Sequence, residues 1–127
     1  MKRILIAAAI INLAVAAIHT FVGEAQVVAP LLASDAPGLV KGTLHSSWHM
    51  TTVVLFLSAG TLFYLSRKDE TDPLSKTLPI YIGIQYTGLA LVFVVTSFIY
   101  SQFFIQILML LPIGLLSFWA GKVANSA

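Results

Sequence analysis

Cysteine is absent from the 127 residues, which excludes disulfides, thiolate metal sites, iron–sulfur clusters and thiol nucleophiles. Charge is scarce as well. Seven basic and five acidic residues make up 9 % of the chain, against about 25 % in a soluble domain. So few charges cannot clothe a water-facing surface, and a chain that is 58 % hydrophobic is not disordered. The basic residues form no patch, so nucleic acid is not an expected partner. There is no glycine-rich phosphate loop, nucleophile elbow or dinucleotide fingerprint. No lysine falls within an apolar run, so a retinal-type Schiff base is excluded.

What the chain does have is four long apolar runs, at about residues 4–22, 44–65, 78–100 and 103–120. Each has the length that crosses a hydrocarbon core of about 30 Å as a helix. A lone strand in lipid leaves its backbone groups unpaired, so the spans are helical. The expected fold is an all-α, antiparallel four-helix transmembrane bundle in one domain, with the lipid bilayer as its surroundings.

The connections differ in character. The stretch from Arg67 to Lys76 also holds Lys68, Asp69, Glu70 and Asp72, half of all the charged residues, and Pro73 marks a turn there. Tyr100-Ser101-Gln102 must form a tight turn. Residues 23–43 are too apolar for a free loop, yet too short and proline-interrupted (Pro30, Pro37) for a span. A short helix or hairpin, lying at the interface or packed on the bundle, is expected there. Lys2, Arg3, Arg67, Lys68, Lys76 and Lys122 fall on one side of the membrane, and only Lys41 on the other. The excess predicts a multi-pass protein with both termini in the cytoplasm. Met1-Lys2-Arg3, an apolar run and Ala14-Val15-Ala16-Ala17 also resemble a secretory signal, whose cleavage would leave three spans.

Ionisable groups near a membrane core are costly and point to function. All three histidines fall at one depth: His19 at the end of the first span, and His45 and His49 at the start of the second. Glu24 joins them. His45 and His49 are four apart, so both imidazoles leave one helix face, which Thr52, Phe56 and Gly60 continue. Two such histidines can chelate one ion, with His19 and Glu24 as third and fourth ligands. Imidazole with carboxylate suits zinc, iron, manganese, nickel or copper. Glu24 is alternatively a general base that activates metal-bound water. Trp48, Thr52, Tyr100, Gln102 and Gln106 are candidates to surround and orient the ligands. A b-type haem held by two histidines from facing helices ranks below a bare ion.

A reading from a different class keeps the same residues without metal. The histidines and Glu24 then form a hydrogen-bonded, pH-responsive cluster in a partner-binding subunit or a proton-linked transporter, which at this size would have to oligomerise. The plainest reading makes all four unconnected interfacial residues, with Trp48 a membrane anchor and Phe118 and Trp119 an inner belt. Asn12 and Gln85 should hydrogen-bond across helices. Gly60, Gly83, Gly88 and Gly114 should admit close helix approach, and Pro112 should kink the last span.

The pairs His19-x-x-x-Gly23-Glu24 and Trp48-His49-x-x-Thr52, with Pro30-Leu31-Leu32 between them, resemble a set of small uncharacterised bacterial membrane proteins of four predicted helices. The resemblance covers roughly residues 15–60. It implies that His19, Glu24, Trp48 and His49 form the group of interest, with His45 less certain, and that the membrane is the bacterial inner membrane. In those proteins a basic residue often precedes the Trp-His pair by a few positions. Lys41 is the nearest here. The resemblance implies no activity.

Overall fold

The structure, a computed structural model, describes residues 1–126 and is helical almost throughout. Helix α1 (Lys2–Ile18) runs into a π-helical segment (His19–Val28) and then α2 (Ala29–Ala33). After a short link come α3 (Gly38–Leu65), α4 (Pro73–Tyr100) and α5 (Gln106–Ser126). Four helices are long and apolar enough to cross a membrane, as the apolar runs imply.

The first connection differs from expectation. Its short helix, α2, is present, but it continues the first span rather than standing apart. Residues Lys2–Ala33 form one 32-residue helix, about 48 Å long against a core of about 30 Å. Pro30, which has no N–H to give, lies where the π segment passes into α2, one residue after its last i→i+5 bond, and the helix runs on through it. The link shrinks to residues 34–37, and α3 begins directly after the extended Pro37, six residues earlier than the apolar run indicates. No hairpin of strands forms here. The helical pair therefore reaches about 14 Å beyond Glu24, past the boundary expected for the core. At the charged loop, Pro73 opens α4, and the Asp72 side chain caps it by accepting from the Leu74 N–H at 2.9 Å.

Packing follows the small residues. Helix α1 lies against α3 and α5, and α5 against α4, while α3 and α4 barely meet. Ala8, Ala9 and Ala16 let α1 approach its neighbours, and the same stretch buries Val15. The Ala14–Ala17 segment is thus helical, with Val15 and Ala16 in the core and Ala14 exposed. Gly83 and Gly114 fulfil the expectation of close approach: a Cβ on Gly83 would lie 2.7 Å from the Phe118 nitrogen, and one on Gly114 3.0 Å from the Thr87 nitrogen. Gly60 and Gly88 do not, since both face open space. Pro112 lies inside α5 without ending it.

The polar groups divide by depth. At the bundle centre the Tyr86 hydroxyl donates to Asn12 Oδ1 at 3.0 Å, so Asn12 makes the inter-helix bond expected of it. Gln85 makes none. Only 22–39 % of the residues in each apolar stretch are buried within the chain, so apolar side chains such as Ile10, Leu57, Leu91 and Leu115 face outward, as lipid requires.

Both termini lie at one end of the bundle. The Met1 nitrogen is 3.5 Å from Glu70 Oε1, and Asn125 Nδ2 donates to the Lys76 carbonyl at 3.5 Å. Arg67, Lys68 and Lys122 cover the rings of Phe63, Tyr64 and Phe118 there, an aromatic and basic belt. The histidines lie at the opposite end.

Candidate metal centre

Helix α3 places His45 and His49 one turn apart, and their Nε2 atoms approach to 2.9 Å. The π-helical segment supplies Glu24, whose Oε1 is 3.8 Å from His45 Nε2. One ligand atom from each of Glu24, His45 and His49 lies within 4.8 Å of the others. Glu24 Oε2 is buried with no hydrogen-bond partner. The Glu24 and His45 side chains are each 37 % exposed and His49 is exposed, so the free carboxylate oxygen beside two imidazoles is open to a cation or to water.

The π register is what aims Glu24. In an α-helix, a residue five positions on is turned by roughly 140°. A turn closed by i→i+5 bonds holds between four and five residues, so Gly23 and Glu24 both return to the face of His19. The register is visible at its end, where the Ala29 N–H reaches the Glu24 carbonyl. That face packs on α3.

Trp48 locks the two helices. Its ring stacks on His19 with centroids 4.0 Å apart and planes 14° from parallel. Its six-membered ring lies over Gly23, where a Cβ would come within 2.5 Å of Cζ2. The Trp48 carbonyl accepts from His19 Nε2 at 3.2 Å and from the Thr52 hydroxyl at 3.3 Å. A carbonyl only accepts, so His19 carries its proton on Nε2. The paired motifs now have a structural meaning. His19, Gly23 and Trp48 form the lock, and the next residues along, Glu24 and His49, are brought together by it.

His45, less certain on the resemblance, is central, and His19 stands outside the three-residue group with its Nε2 engaged. Trp48 is a half-buried packing element rather than a free interfacial anchor, and its Nε1 has no partner. Tyr100 is exposed at the end of α4. Gln102 follows Ser101, which turns the chain at φ 50°, and its backbone N–H donates to Ser97. Gln106 Oε1 is buried and unpaired. Among the described residues, none of these three is hydrogen-bonded to Glu24 or a histidine. Gly23 stands in the sequence motif, but sequence reasoning gave it no role in the site. A glycine four positions after one aromatic ring, facing a tryptophan, was the available signal.

Gly23→Ala tests the lock. The indole is held between His19 and the backbone, so a methyl group displaces it. Metal affinity should fall about tenfold, the low end for residues behind the ligands, and tryptophan emission should shift toward longer wavelength. Unchanged emission with full affinity would show that the indole does not set the site.

Comparison with protein-family models, curated proteins and solved structures finds no match for this chain. The chemistry of the cluster therefore rests on its own geometry.

Proposed function

We propose that this chain is a bacterial inner-membrane protein that binds one divalent transition-metal ion through Glu24, His45 and His49. The observation that carries the proposal is the convergence of three ligand atoms from two helices within 4.8 Å, with the second Glu24 oxygen buried and unpaired. Nitrogens bound at about 2.05 Å lie about 2.9 Å apart at a right angle and about 3.3 Å apart at a tetrahedral angle. The 2.9 Å between the imidazoles fits adjacent corners of an octahedron, and Glu24 Oε1, 3.8 Å from His45 Nε2, would have to close by about 0.9 Å to take a third. Two histidines and one carboxylate on one face leave further positions open for water or substrate. The excess of lysine and arginine at the opposite end supports cytoplasmic termini and an outward-facing metal site. A b-type haem between facing helices would need His19 opposite a histidine of α3, and His19 instead turns its Nε2 to the Trp48 carbonyl and its face to the Trp48 ring, which favours the bare ion.

A second reading has a specific observation behind it: 2.9 Å is also a good N–H···N hydrogen bond, one imidazole donating to the other. Elemental analysis separates the two. The protein is purified gently in detergent and dialysed separately against Mn(II), Fe(II), Ni(II) and Zn(II) under anaerobic conditions. About one ion per chain, retained through gel filtration without a Soret band, is expected. No ion retained from any of the four would leave the hydrogen-bonded cluster as the function-bearing arrangement.

A further inference from the structure

Three of the four seams around the bundle are closed, and the α3–α4 seam is open. A groove of about 280 Å³ runs along it, with Leu57, Ser58 and Thr61 on one wall and Tyr81 and Gln85 on the other. The Ser58 and Thr61 hydroxyls give their protons to their own helix, donating to the Val54 carbonyl at 2.7 Å and the Leu57 carbonyl at 2.8 Å. The Gln85 amide and the Tyr81 hydroxyl have no hydrogen bond within the chain among the described residues. They stand four apart, on one face of α4.

Depth makes Gln85 significant. It lies nine residues beyond Lys76, about 14 Å along the axis and so near the middle of a core of about 30 Å. Its amide cannot reach either surface, and acyl chains offer it no partner. In such surroundings a polar side chain finds its partner on another helix. An amide both donates and accepts, so a second amide completes it, and a two-fold axis sets each residue opposite its own copy. Gly88, on the same side of α4, has open space around it and would let another backbone come close.

We propose that a second copy of this chain docks on the α3–α4 face, the two Gln85 amides hydrogen-bonding across a two-fold axis within the membrane. The dimer is independent of the metal site, which lies at one end of the bundle and on the π segment and α3.

The natural absence of cysteine makes the test clean. Val92→Cys lies two turns from Gln85 on the same face of α4 and is exposed, whereas Ile10→Cys is exposed on α1. Each full-length variant is placed in phosphatidylethanolamine–phosphatidylglycerol vesicles at several protein-to-lipid ratios and treated with a short bis-maleimide. A cross-linked dimer is expected from Val92→Cys and not from Ile10→Cys. Adding Gln85→Leu should weaken the dimer about tenfold, and Gln85→Asn should restore most of it. Circular dichroism checks that each variant keeps its helices. Equal cross-linking at both positions, no dimer from Val92→Cys, or a dimer indifferent to Gln85→Leu would overturn the proposal. So would a monomer that retains a lipid in the groove. If Gln85→Leu fails to fold, the contrast between Val92→Cys and Ile10→Cys still decides.

Discussion

His49→Ala should lower metal affinity by at least about a hundredfold, while His19→Phe should change it about threefold or less. The contrast follows from what each ring does. His49 Nε2 lies 2.9 Å from His45 Nε2, and its loss leaves one imidazole and one carboxylate, too few to hold a divalent ion against water. His19 directs its Nε2 to the Trp48 carbonyl and its face to the Trp48 ring. Phenylalanine keeps the stack, and Thr52 still donates to that carbonyl, so Trp48 stays over Gly23. Titration of purified protein with Ni(II) or Zn(II), read by calorimetry, measures both variants. Equal losses would make His19 a fourth ligand. A His49→Ala protein that binds as tightly as the parent would remove the three-residue site altogether.

The spans were legible because length and apolarity are enough to specify a membrane helix. The cluster was half legible. Two histidines four apart share a helix face whatever surrounds them, so His45 and His49 could be paired from spacing alone. Glu24 could be placed at their depth, but not on their side of the helix. Its direction depends on the π register, and nothing in His19–Val28 announces i→i+5 bonding. His19 reads as a ligand in sequence, whereas in the structure its Nε2 is turned to the Trp48 carbonyl and its ring to the indole. Tyr100, Gln102 and Gln106 were chosen by depth only. Depth says nothing of position around a bundle, and the π segment packs chiefly on α1, α2 and α3. Gln85 and Asn12 look alike in sequence as lone amides in apolar runs. Asn12 meets Tyr86 because it falls on the buried stripe of α1 with Leu5, Ala8 and Val15. Gln85 falls at the edge of the open α3–α4 seam, and among the described residues the expected internal bond does not form.

Gly83→Ala should destabilise the bundle by about 1–3 kcal/mol, and Gly83→Val by more. The α4–α5 seam is the most extensive in the molecule and is closed by interlocking small residues. The added Cβ would meet the Phe118 nitrogen at 2.7 Å and its Cα at 2.9 Å, both backbone atoms. No side-chain rotation relieves that contact, so α4 must draw away from α5. Separation in turn opens the contact of Gly114 with Thr87 and of Gly121 with Ile80. The cost is therefore shared along the whole seam. Gly60→Ala is the matched control, because nothing lies within 4 Å of its added Cβ. Alanine there changes only helix propensity, by up to about 1 kcal/mol in its favour. Thermal unfolding in one detergent, followed by helical circular dichroism, should give a lower midpoint for Gly83→Ala and an equal or higher one for Gly60→Ala. Coincident midpoints would mean that the α4–α5 seam does not hold the bundle together. The metal site, held by α3 and the π segment at the other side, should keep its affinity in Gly83→Ala wherever the protein remains folded.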